Sequence, residues 1–191
     1  NPKYALAHYN RGGAKEKLGD SHGAMADYNK AIEINPKYAM AYYSRGNSKY
    51  DLSDYKGAVV NYSKALEINP KYAEAYNNSG NAKDKLNDLQ GAMADYSKAI
   101  EINPKYEVAY YNRGILKKKL GNIQGAIIDY SKAIEINPKY VEAYFSRGGA
   151  KGALADFSGS ITDFNKVIEI NPKDAEAYYY RGFVKNALED N

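Results

Sequence analysis

Apolar residues recur at helical spacing twice in every unit of the chain. Ala5, His8, Gly12 and Leu18 fall near one face of a first segment, and Ala24, Tyr28, Ala31 and Ile32 near one face of a second. Between the segments stands Leu18-Gly19-Asp20. Gly19 suits the left-handed residue that ends a helix, and Asp20 suits the N-cap of the next. Later units place Ser53, Asn87, Gly121 and Ala155 at the first of these places, and Asp54, Asp88, Asn122 and Asp156 at the second. Asn35-Pro36 and its copies close the second helix, because proline cannot continue it. The pattern predicts a helical hairpin.

That hairpin is repeated. Asn-Pro-Lys starts at Asn1, Asn35, Asn69, Asn103, Asn137 and Asn171, always 34 residues apart and without insertion. A fixed period of this length predicts a stacked array in which no unit buries its apolar face alone. Five complete units (1–34, 35–68, 69–102, 103–136, 137–170) and a partial one (171–191) form a single array over 1–191, with eleven helices expected. The absence of a starting Met and the stop inside a unit make it read as a piece of a longer array.

Small residues indicate how the hairpins pack. Gly12, Gly46, Gly80, Gly114, Gly148 and Gly182 never vary along the chain, nor do Ala7, Ala41, Ala75, Ala109, Ala143 and Ala177. Glycine inside a helix costs about 1 kcal/mol relative to alanine, so its recurrence predicts close approach of a neighbouring helix. Ala24, Ala58, Ala92, Ala126 and Ser160 keep the second helix thin, while Tyr28, Tyr62, Tyr96, Tyr130 and Phe164 fill the space beside them. A second glycine series, from Gly23 to Gly159, lies in the first turn of the second helix.

With Tyr42, Gly46, Leu52, Ala58, Tyr62, Ala65 and Pro70 in this order, the unit resembles the tetratricopeptide repeat, and the likeness covers essentially the whole chain. The resemblance implies an all-α, right-handed superhelical solenoid whose first helices line a concave groove for peptides or protein partners. Two departures stand out: Arg11, Arg45, Arg113, Arg147 and Arg181 occupy a place where the family usually has leucine, and Lys15 with its copies one where it often has tyrosine. Pairing each arginine with the aspartate of the preceding unit gives Asp27–Arg45, Asp95–Arg113, Asp129–Arg147 and Asp163–Arg181. At the remaining junction Asn61 and Ser79 remove both charges together. Salt bridges between repeats are therefore expected.

The face of the first helices away from the small-residue contacts carries Tyr9 and Asn10, then Tyr43, Ser44 and Asn47, then Asn77, Asn78 and Asn81. It continues with Tyr111 and Asn112, Phe145 and Ser146, and Tyr179. Rings and side-chain amides in a concavity suit peptide binding. Some family members clamp an acidic C-terminus with two Lys, two Asn and one Arg. Here Asn47 and Asn78 match the amides, but Tyr43, Val108 and Asn112 stand at the basic places, so that clamp is broken. Asn10, Asn78 and Asn112 resemble an asparagine ladder that grips peptide backbone in other members, interrupted by Ser44 and Ser146.

Composition narrows the function classes. There is no cysteine and there are two histidines, which argues against a metal site or cofactor. Acidic pairs like Asp27 and Glu33 recur along the array, whereas catalysis would need one, and no nucleophile–base set or phosphate loop is present; no enzyme is expected. A net charge of +4 is dispersed, and no apolar run suits a membrane span, so a soluble protein without membrane insertion is expected, cytoplasmic by default. The expected function is a non-catalytic scaffold for a protein or peptide ligand. The alternatives are an RNA-binding helical repeat, which the exact period and scattered charge disfavour, and an architectural self-assembling array. Weak head-to-tail self-association is expected through the last helix, where Ala177, Tyr178, Gly182 and Leu188 lack a covering partner and only Glu189 and Asp190 are acidic.

Overall fold

The computed structural model describes residues 2–189; the side chains of Pro2 and Lys3, the repeat start Asn1 and the tail residue Asp190 lie outside the described set. The described residues form eleven helices and no strand. They fall into two compact units, Asn1–Pro104 and Lys105–Asn191. The first holds α1 (Pro2–Lys17), α2 (Ser21–Ile34), α3 (Ala39–Asp51), α4 (Tyr55–Ile68), α5 (Ala73–Lys85) and α6 (Leu89–Ile102). The second holds α7 (Glu107–Lys119), α8 (Ile123–Ile136), α9 (Val141–Ala153), α10 (Phe157–Ile170) and α11 (Ala175–Glu189). In each unit successive helices pack together, and the odd-numbered helices also touch one another (α1 on α3, α3 on α5; α7 on α9, α9 on α11).

Capping follows the sequence pattern. Asp20, Asp54, Asp88, Asn122 and Asp156 each accept a hydrogen bond from the backbone N–H three residues on, at 2.8–2.9 Å. That donor is always the second-series glycine. A Cβ on Gly23 would lie 2.0 Å from the Asp20 carboxylate, and one on Gly57 2.1 Å from that of Asp54. The glycine lets the carboxylate lie flat over the first turn; a side chain would force the cap to rotate away. Gly19, Ser53, Asn87, Gly121 and Ala155 all have positive φ, from 59° to 81°. The leucine before each of them does not join the core as the helical spacing suggested. Leu18 is 85% exposed, because the helix ends there and the chain turns outward.

Inside each hairpin the first-series glycine meets the tyrosine of the second helix. A Cβ on Gly12, Gly46, Gly80 or Gly114 would stand 2.6–2.7 Å from Cε1 of Tyr28, Tyr62, Tyr96 or Tyr130. These four rings are at most 3% exposed, and Ala41, Ala75, Ala109, Ala143 and Ala177 are fully buried. Ala177 is thus covered by its preceding hairpin, contrary to its expected place on an open stripe, while Tyr178, Gly182 and Leu188 are exposed.

The ion pairs of the buried aspartates form within hairpins. Asp27, Asp129 and Asp163 are buried, and each is held by an arginine and a lysine of its own first helix: Arg11 and Lys15, Arg113 and Lys117, Arg147 and Lys151. The N···O distances are 2.5–2.9 Å. In the second hairpin Arg45 Nε donates to Asn61 at 2.7 Å, and Lys49 turns to the cap Asp54. In the third, Ser79 replaces the arginine and Asp95 is paired with Lys83 at 2.7 Å. The expected pairs Asp27–Arg45, Asp129–Arg147 and Asp163–Arg181 are therefore corrected, while Asp95 and Arg113, which belong to different compact units, each have a partner in their own hairpin. The two charge losses, Asn61 and Ser79, belong to different hairpins and only coincided along the chain.

Arginine does reach the preceding hairpin, but to a neutral side chain. Arg45 Nη1 donates to Asn29, Arg147 Nη1 to Ser131 and Arg181 Nη1 to Asn165, at 2.5, 3.0 and 2.9 Å. These groups lie two positions beyond the aspartate, on the outer side of the second helix. The guanidinium thus fixes its own hairpin with one edge and links to its neighbour with the other. Arg45, Arg113, Arg147 and Arg181 also lie over Tyr42, Tyr110, Tyr144 and Tyr178, with centroid distances of 5.2–5.7 Å.

Three outcomes are expected. Ala155→Gly relieves a left-handed alanine and should raise stability by about 1 kcal/mol, read as a higher urea midpoint at constant m. Asp129→Ala leaves two cations without their anion and should cost roughly 2–3 kcal/mol, whereas Asp129→Asn should cost only about 1, since Asn61 already serves in that role. The Arg11 hydrogen bond holds the Asp27 carboxyl well below the usual range, against the opposing effect of burial. A depressed acid contributes stability above its unfolded pKa and loses it as pH falls. The stability gap between the native chain and Asp27→Asn should be flat from neutrality down to pH ~5 and narrow below pH ~4.

Candidate functional site

In each unit the first helices lie side by side and expose one common face. Its aromatic row is half-buried and works inside the fold. Tyr9 packs between Tyr28 and Tyr38 (5.8 and 5.1 Å), Tyr43 between Tyr62 and Tyr72 (5.9 and 4.7 Å), and Tyr111 between Tyr130 and Tyr140 (5.9 and 5.0 Å). Each ring thereby joins its own hairpin to the residue that caps the next first helix. The rings keep one edge toward the open face, so they serve both as spacer and as surface.

The amides are similarly engaged. Asn78 Nδ2 donates to Tyr43 Oη and to Asn47 Oδ1, both at 3.0 Å, and Asn47 Oδ1 also accepts from Tyr62 Oη at 2.8 Å. Asn81 Oδ1 accepts from Tyr96 Oη at 2.8 Å. Asn77 is 2% exposed and donates to Asn78, so it belongs to the interior and not to the binding face. Its tyrosine-sized place in the other hairpins sits half in the interior, and a shorter side chain sinks fully. Asn10 and Tyr179 are exposed, and Ser44, Asn112 and Ser146 are half-buried. Ser44 and Ser146 lie at the hydroxyls of Tyr9 and Tyr111, 3.5 Å away. The asparagine ladder is thus partly a support for the tyrosines.

A residue row that helical spacing alone did not single out faces the same way. Glu16, Tyr50, Asp84, Lys118, Gly152 and Asn186 are copies of one position and differ in every unit. Glu16 Oε2 accepts from Tyr28 Oη at 3.2 Å and from Ser48 Oγ at 2.8 Å. Tyr50 lines a polar recess of about 310 Å³ with Asn47, Asp51, Tyr62, Asn78 and Asn81. The signal was in the sequence: one position takes a different residue at each copy, next to the unchanging Lys15 series.

In the second unit the face opens into two adjoining recesses. An apolar one of about 470 Å³ is walled by Phe145, Phe157, Phe164, Tyr180, Phe183 and Val184, with Lys118 at its edge. The other, of about 440 Å³, includes Tyr111 and the acids Glu142, Asp174 and Glu176, and shares Phe145 and Ser146 with the first. Asp174 stands where earlier hairpins place a tyrosine, and caps α11 by accepting from Ala177 N at 2.9 Å. Phe145 consequently packs on Phe164 and Tyr180, at 5.4 and 5.6 Å.

Comparison with known proteins agrees with this architecture. Family models described as TPR repeat match residues 17–53, 46–85 and 80–121, and models described as tetratricopeptide repeat match 108–140 and 141–174. No curated protein sequence matches. Among solved structures, MamA is similar at 28% identity and TM-score 0.77, over 86% of this chain and 96% of that one. YrrB, described as a TPR protein with an unusual peptide-binding site, aligns at 22% identity and TM-score 0.74, over 93% of this chain and 92% of that one. PilF of Pseudomonas aeruginosa aligns at 17% identity and TM-score 0.88, over 98% and 86%. No helix among the described residues is long and apolar enough to cross a membrane. With the repeat models covering most of its length and the hairpin geometry matching, the chain belongs to the tetratricopeptide repeat family.

Proposed function

We propose that this protein is a scaffold that binds a peptide or an extended protein segment along the face formed by its first helices. One observation carries the reading: a row of that face changes its chemical group at every hairpin. The contacts inside each hairpin repeat almost unchanged, while Glu16, Tyr50, Asp84, Lys118 and Gly152 present a different group at each step. A surface that only had to close a stack would have no use for such a series. Rings held by their neighbours, such as Tyr43 and Tyr111, offer apolar area with little entropy left to lose on binding. YrrB, whose description names a peptide-binding site, shares the fold.

Each hairpin contributes a modest contact, so affinity is expected to begin near the micromolar range, about −8 kcal/mol, and to rise with the number of hairpins engaged. Peptides selected by phage display on the folded chain should slow amide exchange in α1, α3, α5, α7, α9 and α11 and leave the even-numbered helices unchanged. Protection confined to α2, α4, α6, α8 or α10 would overturn the reading. Tyr43→Ala is unsuited to this test. It removes a ring wedged between two hairpins and should itself cost roughly 2 kcal/mol in urea denaturation, whereas Tyr43→Phe should keep that packing.

A further inference from the structure

All four phenylalanines of the chain, Phe145, Phe157, Phe164 and Phe183, line one recess in the second unit. At the places of Phe145 and Phe164 the fourth hairpin has Tyr111 and Tyr130, with hydroxyls at their rims. Two further exchanges open the space. Gly149 stands where the second, third and fourth hairpins have Asn47, Asn81 and Ile115, and Gly152 where they have Tyr50, Asp84 and Lys118. A Cβ added at Gly149 meets nothing within 4 Å. The floor includes Ser160 in place of the alanine of the other hairpins. Its Oγ is fully buried and has no hydrogen-bond partner among the described residues.

The neighbouring recess sets the charge of what lies alongside. Glu142, Asp174 and Glu176 face it, and it shares the Phe145–Ser146 wall with the apolar recess. Glu142 and Ser146 are one helical turn apart, about 6 Å. Lys118 lines the apolar recess and not the acidic one. A cation is therefore favoured on one side of the anchor and disfavoured on the other. The volume of the apolar recess, about 470 Å³, has room for two large side chains.

We propose that α9, α10 and α11 form a bipartite docking site for a basic–aromatic peptide segment. A tyrosine and an adjacent aliphatic residue enter the phenylalanine recess, and a lysine or arginine about one turn away meets Glu142, Asp174 and Glu176. The site rests on the first-helix binding reading above and specifies its ligand in the second unit. The ring packs on the phenylalanine walls, and the like charge of Lys118 keeps the lysine or arginine on the side of the three acids.

The test uses the full chain and two fluorescein-labelled Gly-Ser peptides. Both carry a Tyr-Leu pair, one with a lysine pair a turn away and the other with a glutamate pair in its place. Fluorescence anisotropy at low salt should show the lysine peptide binding about tenfold more tightly or better. Gly149→Leu should abolish its binding while raising helix propensity, with circular dichroism confirming the fold. Glu142→Gln combined with Glu176→Gln should reduce the preference for lysine to about threefold or less. Equal binding of the glutamate peptide, native-like binding by folded Gly149→Leu, or no binding of the lysine peptide would each overturn the proposal. Amide exchange separates this failure from that of the broader reading. Protection by the lysine peptide on α1, α3 or α5 alone removes the bipartite site and leaves first-helix binding standing, whereas protection confined to α2, α4, α6 or α8 removes both.

Discussion

The contact between a helical glycine and a buried tyrosine ring sets the spacing of the first four hairpins. With a ring carbon 2.6–2.7 Å from where a Cβ would stand, the first helix cannot carry any side chain at Gly12, Gly46, Gly80 or Gly114 without displacing the ring. That closeness fixes where the ring's outer edge emerges. On that edge rest Tyr9, Tyr43 and Tyr111, and through them the tyrosine that caps the following first helix. The fifth hairpin relaxes the constraint: Phe164 stands 3.4 Å from the Cβ position of Gly148, and here the apolar recess opens.

The buried carboxylates are the second consequence of that geometry. A thin first helix brings Asp27, Asp129 and Asp163 within reach of an arginine and a lysine one turn apart on the opposite helix. An unpaired acid at these places would be strongly unfavourable, and two cations satisfy both oxygens at once. The departures of the second and third hairpins keep that balance. Asn61 accepts from Arg45 without needing a second cation, and Asp95 keeps Lys83 where Ser79 provides none. Charge adjacent to the core is thus tolerated because the buried carboxylates are paired inside their own hairpins, while Arg45, Arg147 and Arg181 reach neutral groups of the preceding hairpin.

Such internal balance leaves the first-helix face free to vary. The glycine–ring contact and the buried carboxylate pairs lie elsewhere in the hairpin, so the row Glu16, Tyr50, Asp84, Lys118 and Gly152 changes from copy to copy without altering them. The polar recess around Asn47 and the phenylalanine recess around Gly149 show how far this variation goes on one scaffold. Binding specificity of the kind proposed here arises from the sequence of surfaces along the stack and not from any single residue.

The sequence by itself determined the hairpin, its period, the caps at Asp20 and its copies, the left-handed residues from Gly19 to Ala155, and the close approach at the glycine series. These features are local or repeat at fixed spacing, so a linear pattern carries them. Which arginine meets which aspartate was not legible, because Asp27 lies near Arg11 and Arg45 alike along the pattern, 16 and 18 residues away, and only helix rotation decides between them. The second glycine series became intelligible only once the Asp20 carboxylate was seen lying over Gly23, and Asn77 proved interior because the depth of its place depends on side-chain length. The recess beside Gly149 likewise depends on residues from α7, α9, α10 and α11 meeting in space. Periodicity specifies which residues share a helix face; the rotation and separation of neighbouring helices, set by close packing of side chains in three dimensions, decide what that face touches.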